Sequence, residues 1–167
     1  MTKRKSVFVI LTLVAGLLSF RATTITEEGI EKGDSILTDN SNVYIKNAIE
    51  KNKGKFIILN FWSSYDAESR ARNIKFANLA RNDSSNVALI SVSLDKIQSV
   101  YDETVKSDGI NANSSFLVKN GFDSKTAQNY GFKNGEFGNF LIDPQGVIVL
   151  KNSNAEDFSA EILSSLN

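Results

Sequence analysis

Phe56-Ile57-Ile58-Leu59-Asn60-Phe61-Trp62, followed at once by Ser63-Ser64-Tyr65-Asp66, is the stretch on which the fold turns. A nearly unbroken apolar run of strand length, without polar alternation, must be covered on both faces of its sheet. Helices are therefore expected above and below it. The segment from Asp66 to about Asn82 supplies the first. Ser63, Ser64 and Asp66 are candidate caps, Arg70, Arg72 and Lys75 read as outward-facing, and Ala67, Ala71, Ile74, Ala77 and Leu79 as packing positions.

Downstream, Val87 to Leu94 is a second buried strand, and Ile97, Val100, Tyr101, Thr104 and Val105 follow at helical spacing to an end near Gly109. Strand, helix, strand, helix predicts a parallel pair with a right-handed crossover. Phe116 to Val118 fits a short strand, and Lys125 to Tyr130 a short helix stopped by Gly131. Phe140 to Ile142 and Val147 to Leu150 flank Asp143-Pro144-Gln145-Gly146, a turn with Pro second and Gly fourth, which predicts an antiparallel hairpin. Phe158, Ile162, Leu163 and Leu166 predict a closing helix. Upstream, Val43 to Glu50 reads as a short helix, and Thr23 to Asn42 as a polar leader with one short strand at Ser35 to Leu37. The resulting fold class is α/β, one domain over 43–167 with a central mixed sheet and helices on both faces.

The chain has 167 residues, 41% of them hydrophobic and 23% charged, which is the composition of a single folded domain. It holds no Cys and no His. Their absence removes disulfides, thiol nucleophiles, imidazole bases and nearly every zinc or haem site. Lys3, Arg4 and Lys5 precede the uncharged run Val7 to Phe20, whose 14 residues fall short of the roughly 20 of a membrane span. Residues 1–22 therefore read as a secretory signal. Cleavage after Ser19 or Ala22 would leave bulky Leu17 or Phe20 where a small residue is preferred, so an uncleaved anchor through residues 7–20 is the alternative. Loss of Lys3, Arg4, Lys5 and Arg21 takes the 19 basic residues to 15 against 19 acidic, a net charge of −4 that disfavours nucleic acid as a partner. A periplasmic or secreted location is expected.

Four blocks carry a resemblance. They are Phe56 to Tyr65, Leu89-Ile90-Ser91-Val92-Ser93-Leu94-Asp95, Asn129-Tyr130-Gly131-Phe132, and Phe140-Leu141-Ile142-Asp143-Pro144-Gln145-Gly146-Val147-Ile148. In this order, over residues 54–152, they resemble the exported thioredoxin-like proteins of the TlpA type. The resemblance implies a thioredoxin-like fold and a Trp-Cys-x-x-Cys segment at the start of the first long helix, where the helix N-terminus lowers the thiol pKa. The matching positions hold Asp66 and Ser69, with Ala67 and Glu68 between them. The family's cis-proline matches Phe137, while the sole proline, Pro144, belongs to the hairpin turn. The resemblance thus implies the fold without the thiol chemistry.

Each residue at these degenerate positions has two readings. Asp66 is an N-cap or, with Glu68, a carboxylate acting on substrate or metal, and a helix N-terminus favours its ionised form. Ser69 as a nucleophile has no His to activate it. Asn60 reads as a hydrogen-bonded polar group beneath the site. Trp62 and Tyr65 are ordinary packing or exposed aromatics forming a recognition surface with Phe137. Asp95, Asp102 and Asp143 sit where a strand end, a helix surface and a turn favour Asp, and Gly131, Gly135 and Gly138 read as turn residues.

Together these point to a redox-inactive protein of the bacterial cell envelope that binds a protein or peptide through Trp62, Tyr65, Asp66, Glu68 and Phe137. No cofactor and no metal ligand is expected on this reading, and contact with a membrane only through an uncleaved N-terminal segment. Two alternatives stand beside it. One is a metal-dependent enzyme using Asp66 and Glu68, with Asp143 a further candidate carboxylate; the other is a non-catalytic partner of a thiol-disulfide oxidoreductase system.

Overall fold

Every residue of the first strand, β1 (Phe56–Trp62), is buried, as its lack of alternation requires. It lies at the centre of a five-stranded sheet in a computed structural model that describes residues 29–36, 41–133 and 135–166. The other strands are β2 (Val87–Ser93), β3 (Ser115–Leu117), β4 (Asn139–Ile142) and β5 (Ile148–Lys151), in the order β3-β2-β1-β4-β5. β1 pairs in parallel with β2 along its whole length, from Phe56 opposite Val87 to Trp62 opposite Ser93. It pairs antiparallel with β4 on its other side. The predicted hairpin joins β4 and β5, closed by Gly146 N–H donating to Asp143 O at 2.9 Å.

Among the described residues five α-helices cover the two faces: α1 (Val43–Lys51), α2 (Ala67–Asn82), α3 (Gln98–Ser107), α4 (Lys125–Asn129) and α5 (Ala155–Leu166). On one face Phe56, Ile58 and Trp62 of β1 meet Phe76 of α2, Tyr101 and Val105 of α3, and Phe158 and Ile162 of α5. On the other, Ile57, Leu59 and Phe61 meet Ile45 and Ile49 of α1, Ala127 of α4, and Tyr130 and Phe132 beyond it. Alternate residues of β1 thus anchor two separate cores. The two right-handed crossovers after β1 and β2 place α2 and α3 on the same face. The fold is thioredoxin-like α/β.

Several expected packing positions are shifted. On α2, Ala67 and Ala71 are exposed, and Ser69, Asn73, Phe76 and Ala77 form the buried face. Arg72 is half-buried rather than outward. The large Phe76 ring stacks on Phe158 with centroids 4.9 Å apart, and its burial sets the rotation of the helix. Asn73 can then turn inward because Asn60 Nδ2 donates to its Oδ1 at 3.0 Å. On α3, Tyr101, Thr104 and Val105 are buried while Ile97 and Val100 stay exposed, and Val43, Tyr44, Leu163 and Leu166 are exposed on their helices as well.

Residues preceding α1 join the sheet. Ser35 forms an antiparallel bridge to Val147, Gly33 N–H donates to Ile148 O at 2.9 Å, and Ile36 is buried in the core with α1. At the head of this segment Gly29, with φ +79°, lies so close to Tyr130 and Gly131 that a Cβ would sit 2.7 Å from Gly131 N. The expected signal or anchor over 1–22, the leader up to residue 28 and Leu37 lie outside the described residues. Among the described residues no helix is long and apolar enough to cross a membrane.

Candidate functional site

The C-terminal ends of β1 and β2 lie side by side, and the loop from Ser63 to Asp66 leads from β1 into α2. Asp66 caps the helix. Its Oδ1 accepts from Ser69 N–H at 2.7 Å, with its backbone in the extended conformation that an N-cap adopts. Ser69 is buried and its Oγ accepts from Ser63 N–H at 3.3 Å, so it ties the loop to the helix. Both residues are thus engaged in holding the loop to the helix start.

Behind this loop is a group that sequence reading treated only as a strand-end acid. Asp95 is 3% exposed and its carboxylate gathers hydroxyls from three serines. Ser63 Oγ donates to Oδ1, Ser64 Oγ donates to Oδ1 at 2.8 Å, and Ser93 Oγ donates to Oδ2 at 2.7 Å. Ser64 N–H adds a bifurcated bond at 3.1 Å to each oxygen. A buried carboxylate is tolerated when its lone pairs are filled in this way. The signal was present as Ser63-Ser64 at one strand end and Ser93-x-Asp95 at the next, which parallel pairing brings together.

Trp62 does not belong to the surface. It is 0% exposed, its ring packs 6.3 Å from that of Tyr101, and its Nε1–H donates to Ser91 Oγ at 2.8 Å. Strand alternation directs it into the α2–α3 core, and a satisfied indole N–H keeps it there. Burial in the same core raises the Tyr101 phenol above its ordinary pKa, and the nearby Asp102 charge adds to the rise.

Outside the serine cluster, three aromatic rings run in a row. Tyr65 is 66% exposed and meets Phe137 edge-on at 6.2 Å, and Phe137 in turn lies 5.3 Å from Phe122. Phe137 is held in place because Arg72 Nη2–H donates to its carbonyl at 3.1 Å. The next residue, Gly138, could not carry a side chain: a Cβ would stand 2.5 Å from the Phe132 ring. Arg72 also faces Glu68 at 3.6 Å, and the Glu68 side chain is 89% exposed. Beside Phe137 an open cleft of about 490 Å³ runs between α2 and the start of α5, past Arg72, Lys75, Asn139, Asn152 and Asn154.

Thus Tyr65, Asp66, Glu68 and Phe137 lie around the start of α2, while Asp143 does not join them. Ile142 stands opposite Ile57 at the far end of β1, and Asp143 Oδ1 accepts from Gln145 and Val147 N–H at 2.9 Å within its own turn. Asp143 is therefore not a third carboxylate beside Asp66 and Glu68. No group of three or more His, Cys, Asp or Glu placed to hold a metal ion occurs among the described residues.

No protein-family model matches the chain, and no curated protein matches it. Solved structures do. A thioredoxin-like protein from Parabacteroides distasonis is 37% identical, with a TM-score of 0.62 over 66% of this chain and 81% of that one. A thiol-disulfide oxidoreductase from Bacteroides fragilis is 23% identical at a TM-score of 0.60, over 71% and 85%. The thioredoxin domain of another from Bacteroides vulgatus is 18% identical at 0.61, over 71% and 84%; these two show likeness of fold alone.

Proposed function

The chain belongs to the thioredoxin-like proteins, and from that premise we propose that it is a redox-inactive binding module of the bacterial cell envelope, of the TlpA type, holding a partner protein or extended peptide where α2 begins. Thiol-disulfide exchange requires a thiolate, and the sequence contains no cysteine. The observation that carries the reading is the exposed Tyr65 ring set against Phe137, beside a helix start whose Asp66 and Ser69 are engaged in holding the loop. A large aromatic held out to solvent by a saturated hydrogen-bond network is the kind of anchor that interfaces use. The envelope location is supported by the basic and apolar composition of residues 1–22, and the TlpA assignment by the four sequence blocks. Glu68 at the rim adds a charge for orienting the partner.

Affinity capture from cell envelopes tests this, with wild type and a Tyr65→Ala/Phe137→Ala double variant compared by mass spectrometry and circular dichroism confirming that the variant is folded. The expected outcome is a partner retained by wild type and lost by the variant. Identical captured sets would exclude this surface. Capture of a thiol-disulfide oxidoreductase would make the chain its accessory subunit.

A further inference from the structure

At the opposite end of the sheet, β2 is paired among the described residues on only one side for half its length. β1 accompanies it from Val87 to Ser93, but β3 covers only Ser91 to Ser93. The direction of the ladder bonds follows from its ends. Phe56 N–H donates to Asn86 O and Leu94 N–H donates to Trp62 O, both at 2.8 Å, so even-numbered residues of β2 turn their peptide groups toward β1. Odd-numbered residues turn theirs outward. Val87 N–H is taken by Asp83 O at 2.9 Å, and Ser93 O by Val118 N–H at 2.9 Å. Val87 C=O and both peptide groups of Leu89 therefore face the open edge.

That edge forms the floor of a groove. It lies between α1 and α2, has a volume of about 430 Å³, and is walled by Ala77 and Ala80 on one side and Ala48 on the other. Lys51, Lys55 and Arg81 stand around it, and among the described residues no Asp or Glu lines it. Lys55 Nζ and Arg81 Nη2 donate to the neutral carbonyls of Ser84 and Gly109, at 2.7 and 3.1 Å. None of the three cations has a carboxylate within salt-bridge distance among the described residues.

We propose that this edge receives an extended acidic peptide segment as an added strand, with one of its residues opposite Leu89. An antiparallel segment about 4.8 Å away exchanges two bonds with Leu89 and reaches Val87 C=O two residues on. Backbone pairing fixes the register, the apolar walls accept alternate small or β-branched side chains, and the cations select acidic flanks. The same cations disfavour a second copy of this chain as the occupant, since two such edges would bring like charges together. This site lies away from Tyr65 and Phe137 and stands whether or not that surface binds.

The test uses the full chain and a fluorescein-labelled hexapeptide with Thr-Val-Thr-Val between two glutamates. Its controls are the same peptide with lysines at both ends, and an acidic version carrying an N-methyl group on each valine and threonine. Anisotropy should show the acidic peptide binding about fivefold to tenfold tighter than the lysine peptide, the size of two exposed ion pairs. Added salt should narrow that gap, and N-methylation should abolish binding. Leu89 N–H should gain protection from hydrogen exchange when the acidic peptide binds. Lys51→Glu/Lys55→Glu should reverse the preference, and Tyr65→Ala should leave it unchanged. The proposal is overturned if no peptide binds at about 1 mM, a generous limit for a strand-addition site. It is also overturned if N-methylation has no effect, or if Leu89 is protected instead by a concentration-dependent dimer.

Discussion

The loop before α2 presents two layers within a few residues of each other, and they are built on opposite principles. In the inner layer, Ser63, Ser69, Ser93 and Asp95 are buried and each of the three serine hydroxyls finds an acceptor, with Trp62 sealed behind. In the outer layer, Tyr65 and Glu68 are exposed, and the half-buried Phe137 is secured by the Arg72 bond to its carbonyl and by its ring against Phe122. A polar network that saturates itself holds a shape and has nothing left to offer a ligand, whereas an aromatic ring left in water loses little by meeting one. The division of labour between stability and binding should therefore follow the boundary between these layers.

The largest effect expected from breaking that boundary is at Asp95. Asp95→Ala removes the acceptor for three hydroxyls and one backbone N–H, and should cost about 3 kcal/mol in urea unfolding. Asp95→Asn, which keeps one carbonyl acceptor, should cost less. A loss below about 1 kcal/mol in the alanine variant would mean that the serines repartner readily and that the inner layer is not a stabilising unit.

Next in size is Asp66, at the junction of the layers. Its Oδ1 satisfies one N–H of the first turn of α2, so Asp66→Ala should cost about 1 kcal/mol, the usual worth of an N-cap. Asp66→Ser should recover most of it, because a hydroxyl can accept the same bond. Failure of serine to restore stability would point to the charge acting on the helix dipole rather than to the cap.

How much of this was legible in the sequence follows from the same contrast. β1 and the start of α2 were readable because an apolar run followed by Ser-Ser-x-Asp has few other meanings. The rotation of α2 was not, since Ser69 and Asn73 look like surface residues until Asn60 and the Ser63 N–H are known to face them. Counting apolar residues put Ala67 and Ala71 inside, although alanine is indifferent enough to sit on either face. Trp62 was open between core and surface, and pairing with Ser91 decided it. The Asp95 cluster needed the parallel register of β1 and β2, which brings two serine-containing strand ends together. The open half of β2 depended on the shortness of β3, which no pattern within β2 announces.

A smaller effect tests the sealed side of the inner layer through pH. The Tyr101 phenol, packed near Trp62, is raised above its ordinary 10.0. A raised pKa means the folded chain favours the neutral phenol. That stabilisation is fully present below pH 10.0 and is lost as the pH climbs through the higher value of the folded state. Thermal unfolding of wild type should therefore fall more steeply above that pH than unfolding of Tyr101→Phe, which has no proton to lose. Parallel curves would show that the phenol reaches solvent without opening the core.

The smallest expected change in stability carries the most weight for function. Tyr65 is largely exposed and its ring meets Phe137 edge-on, so Tyr65→Ala should alter unfolding free energy by no more than about 0.5 kcal/mol, as at an ordinary surface position. If Tyr65 belonged with Asp95 as a structural residue, its removal would loosen the loop, expose the serine hydroxyls and accelerate hydrogen exchange at Ser64 N–H, which is bonded to Asp95. If it belongs to the outer layer, exchange at Ser64 stays as slow as in wild type while partner capture is lost. An aromatic ring whose deletion leaves both stability and local exchange untouched is kept for something outside the fold, and a change at Ser64 would withdraw that inference.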